Sequence, residues 1–237
     1  MTLEAVIFDF DGVLANSEPL HLRVYQVLLS DENISLSRSE YYERYLGFDD
    51  VGVFEALARD KGLDVTGTRM AALIERKTEL FQQLAQSGEV LFPGAVACVR
   101  ETAAAVPVAI ASGALRQEIE MMLDAAGLRA LVPVIVASGE TPRSKPAPDP
   151  YLRAVERLSQ RAGRPIATSR AVAIEDSRLG LQSARQAGLR TLGVTTSYPA
   201  NQLPEAERTI PDISAVTIAL LDELAASAPP SRIEAPR

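Results

Sequence analysis

The feature that most limits what this chain can fold into is a rhythm. Short runs that are almost wholly apolar alternate with stretches of helical periodicity, and most of the runs end in polar residues. The runs cover 5–8 (Ala-Val-Ile-Phe), 106–112, 132–137, 171–176 and 191–195. Helical stretches cover 115–126, closed by Gly127, then 149–161, then 179–187, closed by Gly188, and finally 213–226. A strand with no polar residue on either face has to be buried on both faces. Strands of that kind separated by helices predict an α/β fold: a Rossmann-like, doubly wound parallel sheet with helices on both sides.

The rhythm is interrupted once. Between Asn16 and Phe92 only helical patterns occur. The first covers 18–29, with Ser17 as N-cap, Pro19 in the first turn and an apolar stripe of Leu20, Val24, Val27 and Leu28. A second covers 39–45 and ends at Gly47, and a third covers 50–61 and is stopped by Gly62. A fourth covers 68–85, with Ala72, Leu73, Leu80, Phe81 and Leu84 inward, ending at Ser87-Gly88. The organisation expected is a core of 1–15 and 93–227, an all-helical domain of 16–92 inserted after the first strand, and a tail of 228–237 too poor in apolar residues to fold.

Composition narrows the class of function. The chain has 237 residues, 47% hydrophobic and 23% charged, and no apolar run long enough to span a bilayer. The first strand begins with no basic, apolar leader before it, so the expectation is a cytoplasmic protein that does not engage a membrane. Cys98 is the single cysteine, which leaves no internal disulfide and fits a reducing compartment. A net charge of −7 without a basic run argues against a nucleic-acid partner. No coiled-coil or extended apolar stripe calls for oligomerisation, so a monomer is expected.

Polar groups recur where the strands end. The first gives Asp9 and Asp11, followed by Gly12; the second gives Ser112-Gly113; the third is followed by Lys145 within Ser-Lys-Pro-Ala-Pro-Asp; the fourth gives Glu175-Asp176. Taken singly, each has an ordinary structural reading: an Asp-Gly turn, a helix cap, a solvated lysine, a polar strand end. In open α/β sheets, however, ligands sit at the C-terminal strand edge. Carboxylates, a hydroxyl and a lysine converging there suit a phosphate together with a divalent cation.

Asp-Phe-Asp-Gly-Val, Ala-Ser-Gly, Ser-Lys-Pro-Ala-Pro-Asp and Ile-Glu-Asp-Ser together resemble the four motifs of the haloacid dehalogenase superfamily. The helical insert resembles its small α-helical cap. Asn-Ser-Glu-Pro-Leu-His after the first motif is similar to the branch of β-phosphoglucomutase and phosphoglycolate phosphatase. The resemblance covers the chain to about Leu221.

It implies that Asp9 is a nucleophile forming an aspartyl-phosphate and that Asp11 is the general acid and base. Mg²⁺ would be held by Asp9, Asp176 and the backbone carbonyl of Asp11, with Glu175 joining directly or through water. Ser112, Gly113 and Lys145 would hold the transferring phosphoryl group. Glu18, His21 and Arg116 are candidates for substrate contact, with Arg44 as an alternative phosphate contact. The implied activity is a Mg²⁺-dependent phosphatase acting on a small phosphorylated metabolite of the sugar phosphate or phosphoglycolate type. A sugar-phosphate mutase is the alternative, and a silent module on the same fold a third. The mutases of the branch carry a basic residue just after the cap glycine; here Gly47-Phe-Asp-Asp50 places acid there, which favours the phosphatase.

Overall fold

A computed structural model describes residues 1–85 and 90–227. The expected Ser87-Gly88 helix stop and the tail of 228–237 lie outside them.

The apolar runs become the parallel sheet. Strands β1 (Ala5–Phe8), β2 (Val108–Ala111), β3 (Val134–Val136), β4 (Ala171–Glu175), β5 (Arg190–Val194) and β6 (Arg208–Ile210) lie in the order β3-β2-β1-β4-β5-β6. Every neighbouring pair is parallel. Side chains alternate between the two faces, and each face has its own apolar cluster. Val6, Phe8, Ile110, Val172 and Ile174 join Val99, Leu123 and Leu221 on one side. Ala5, Ile7, Ala109, Ala171 and Ala173 meet Tyr151, Ala154 and Leu158 on the other. Those residues come from α5 (Ala95–Ala105), α6 (Arg116–Ala125), α7 (Asp149–Ala162) and α9 (Ile218–Ala226), and α8 (Arg178–Gln186) adds Ala184 to the second cluster.

Differences from the sequence reading have local causes. Pro107 has no N–H for a ladder, and β2 starts one residue after it. The last helical stretch is split into a 3-10 turn, Ile213–Ala215, and α9, which Thr217 caps by accepting from the Leu220 amide. β6 was not expected: it is a three-residue edge strand, half exposed, with too few apolar residues to read as a run.

Between β1 and α5 the described residues form α1 (Glu18–Ser30), α2 (Arg38–Arg44), α3 (Asp50–Lys61) and α4 (Arg69–Ala85). Ser37 caps α2 in a reciprocal capping box with Glu40, which sets that helix one residue earlier than expected. The inward stripe of α4 is Leu73, Lys77, Leu80 and Phe81, whereas Ala72 is exposed. A lysine thus takes the place of an apolar residue in the stripe. The chain leaves and re-enters the core at adjacent points: the Asn16 amide donates to Val90 O and the Phe92 amide to Leu14 O.

Candidate active site

The sheet register brings the polar strand ends together. Phe8 is level with Ile110 on β2 and with Ile174 on β4, so Asp9, Ser112 and Asp176 emerge from three adjacent strands. β1 and β4 flank the point where the strand order reverses, which is where open α/β sheets form a crevice. Gly12 follows with φ of +77°, and a Cβ there would lie 1.9 Å from Asp176 Oδ2. Only glycine permits this approach of the first loop to the fourth strand end.

Lys145 ties this edge together. Its Nζ donates to Asp9 Oδ1 at 2.8 Å and to Glu175 Oε1 at 2.6 Å, and all three side chains are buried. Glu175 is saturated. Tyr151 Oη also donates to its Oε1, at 3.2 Å, while Oε2 accepts from the Asp176 amide, the Ser177 amide and Ser177 Oγ at 2.9–3.0 Å. Its carboxylate also fills the space where a side chain on residue 180 would begin: a Cβ on Gly180 would lie 1.5 Å from Oε1.

Crowding of buried acids sets their protonation. Burial, then the charge of Glu175, pushes the Asp9 carboxyl up to about 8 against the opposing pull of Lys145. Burial, then Glu175 and Asp9, holds Asp176 well above the usual carboxylate range. Burial disfavours the Lys145 ammonium, but Asp9 and Glu175 outweigh it and raise its pKa. Asp9, Glu175 and Asp176 each offer an oxygen within 4.8 Å of the others. Two carboxylates held above their normal pKa by burial and by the charge of Glu175 are the donor set a hard divalent cation would relieve, so the residues fit Mg²⁺. With both its oxygens committed, Glu175 is the least available of the three.

Asp11 faces the other way. Ser17 Oγ donates to its Oδ1, and His21 Nε2 lies 3.5 Å from the same oxygen. Ser17 was expected to cap α1 but makes no side-chain cap bond there; its hydroxyl is committed to Asp11. Burial would raise the Asp11 pKa, but the bond and charge of His21 and the Ser17 hydroxyl outweigh it and lower it. For His21, burial and Lys77 oppose the charged form, and Asp11 and Glu118 overcome them and raise its pKa. The imidazole stacks on Phe81 with ring centroids 4.5 Å apart.

The cleft is lined on the sheet side by Asp9, Asp11, Ser112, Gly113, Lys145 and Asp176. On the helical side it is lined by Glu18, His21, Tyr25, Tyr41 and Asp50. Two candidates from sequence do not reach it. Arg116 is held by Glu140 Oε1 at 2.6 Å, Glu120 Oε1 at 3.0 Å and Ile135 O at 2.8 Å, on the flank of α6. Arg44 pairs with Asp60 at 2.8 Å.

Sequence reasoning missed Lys77, which has no exposed surface and pairs with Asp50 Oδ2 at 3.1 Å and Glu118 Oε1 at 3.0 Å. This links α3 and α4 of the insert to α6 of the core. Its position four residues after Leu73 and three before Leu80, inside an apolar stripe, was the available signal.

Known proteins resemble this chain along most of its length. A family model for haloacid dehalogenase-like hydrolases matches residues 6–194. Protein CbbY of Rhodobacter capsulatus is 33% identical over 233 residues, covering 94% of this chain and 100% of that protein. A phosphorylated carbohydrates phosphatase of Thermotoga maritima is 28% identical, covering 82% of this chain and 87% of that one. A crystal structure of a CbbY mutant from Rhodobacter sphaeroides in complex with xylulose-(1,5)bisphosphate superposes with a TM-score of 0.82 at 28% identity, covering 93% of this chain and 99% of that chain.

Proposed function

We propose, since this chain belongs to the haloacid dehalogenase-like hydrolase family and is a phosphatase within it, that it hydrolyses a small phosphorylated metabolite of the sugar phosphate or phosphoglycolate type, with Mg²⁺, through an aspartyl-phosphate on Asp9. The observation that carries this reading is the placement of the Asp9 carboxylate. It stands at a strand end, 2.8 Å from the Lys145 ammonium and beside Asp176, with Asp11 turned toward the opposite wall of the same cleft.

Asp9 attacks phosphorus, forming the P–O bond to its carboxylate as the bond to the ester oxygen breaks. Lys145, Ser112 and the Gly113 amide hold the phosphoryl oxygens as charge redistributes. Asp11, held by His21 and Ser17, delivers a proton to the departing oxygen; those partners lower its pKa in the free site, so it takes up that proton as the substrate's negative charge enters beside it. In the second step Asp11 takes a proton from water, which attacks phosphorus and frees Asp9 and inorganic phosphate. Asp9, Asp176 and the backbone carbonyl of Asp11 would hold Mg²⁺, which would supply charge neutralisation between two anions that otherwise repel.

A screen of sugar phosphates, phosphoglycolate and p-nitrophenyl phosphate, with Mg²⁺ and with EDTA, tests the reading. Phosphate release that chelation abolishes is the expected outcome. Turnover surviving thorough chelation contradicts the metal, and interconversion of a hexose phosphate without phosphate release contradicts the phosphatase.

A further inference from the structure

The helical wall of the cleft is rich in hydrogen-bond acceptors and short of cations. Tyr41 Oη donates to Glu18 Oε2 at 2.7 Å, and Tyr25 Oη donates to Asp50 Oδ1 at 2.6 Å. Each tyrosine proton is spent on a carboxylate, and the other Asp50 oxygen pairs with Lys77 at 3.1 Å, so the acceptors this wall offers are the phenol lone pairs and the second oxygen of Glu18. Among the described residues that line the cleft, Lys145 is the one lysine or arginine, and it stands at the phosphoryl end beside Asp9. Lys77 lies behind the wall, wholly buried between Asp50 and Glu118, and does not line the cleft. His21 does line it, but its ring faces Asp11.

Resting on the phosphatase reading above, we infer that this wall selects esters whose single phosphate is carried by a leaving group that donates hydrogen bonds, and rejects those with a second anionic group at the far end. Sugar and polyol hydroxyls, or the ammonium of an amino sugar, meet acceptors there. A distal phosphate or carboxylate meets Glu18 and the phenol oxygens and finds no lysine or arginine among the described residues of this wall, so it is desolvated without a partner. The wall therefore separates this chain's substrate from a bisphosphate such as the one bound by its structural relative, and from phosphoglycolate as well.

The test is kcat/KM with Mg²⁺ for matched pairs: fructose 6-phosphate against fructose 1,6-bisphosphate, and glucose 6-phosphate or glucosamine 6-phosphate against phenyl phosphate, whose leaving group has no donor. The monophosphate is expected to exceed the bisphosphate by at least about tenfold. Both sugar esters should show a lower KM than phenyl phosphate. Glu18→Gln, which removes charge and keeps volume, should narrow the first ratio. The wild-type ratio stands as a measurement even if that variant folds poorly. A bisphosphate turned over as well as the monophosphate, or phenyl phosphate with an equal KM, overturns the inference while leaving the phosphatase intact. No ester hydrolysed at all would instead overturn the reading beneath it.

Discussion

The two walls of the cleft are built by different means. On the sheet side, Asp9, Ser112 and Asp176 sit where three adjacent strands end, and the backbone register fixes their spacing. Lys145 is then drawn in by two carboxylates. On the helical side, Glu18, Tyr41 and Asp50 come from three helices whose mutual placement depends on packing and on a buried ionic link through Lys77 to the core. A wall held by strand ladders can keep reacting groups to the tolerance that chemistry needs. One assembled from packed helices, bound to the core by few groups, is suited to shaping what may enter.

That contrast predicts that changes in the sheet wall act on turnover and changes in the helical wall on stability and selectivity. Asp9→Asn should have the largest effect, lowering kcat by about 10⁴-fold or more while the melting temperature holds, because it removes the attacking oxygen. Substantial activity in this variant, measured by phosphate release, would break the assignment. Lys145→Met should lower kcat by about 10²–10³-fold through lost stabilisation of the phosphoryl oxygens. A change confined to KM would move this lysine from chemistry to binding.

On the other wall, Lys77→Met leaves Asp50 and Glu118 buried without their cation and should cost about 3–5 kcal/mol in urea unfolding. Adding Glu118→Gln should recover part of that loss. If Lys77→Met is neutral, the ionic link does not hold the helices to the core.

Arg116→Ala lies outside both walls. It should shift stability by about 1 kcal/mol or less and leave kcat/KM unchanged, since its partners, Glu120 on the same helix and Glu140 in the loop after β3, are partly exposed and lie outside the cleft. Smallest of all is the expected behaviour of Cys98. Burial pushes its thiol up to about 11, so at pH 8 little thiolate forms, and native protein should react with a thiol reagent far more slowly than unfolded protein.

The same contrast explains what was legible in the sequence. The sheet wall could be read because each strand is a contiguous apolar run and its functional group is the next residue or two. Asp9, Ser112 and Asp176 then need only the parallel register to meet. The insert's helices were legible as amphipathic stretches, and α3 falls where spacing placed it, from Asp50 to Lys61. What the helices do to each other was not legible. Asp50, Lys77 and Glu118 are far apart in sequence, and a lone charged residue in an apolar stripe gives no sign of its partners. Ser17 looked like a cap because serine before a helix usually is one; a carboxylate six residues earlier took its hydroxyl instead. Arg116 looked like a substrate contact by its position near Ser112, and Glu120 and Glu140, both half-buried, hold it away. β6 was invisible because an edge strand of three residues needs little apolar content.

The central claim is that phosphoryl transfer proceeds in two displacements through Asp9. The most direct measurement is the stereochemical course at phosphorus, using a phosphorothioate substrate made chiral with two oxygen isotopes and hydrolysed in water carrying the third. Two successive in-line displacements predict that the phosphoryl group reaches its acceptor with net retention of configuration. Net inversion would mean that water attacks the ester in a single step and that Asp9 never carries the phosphoryl group.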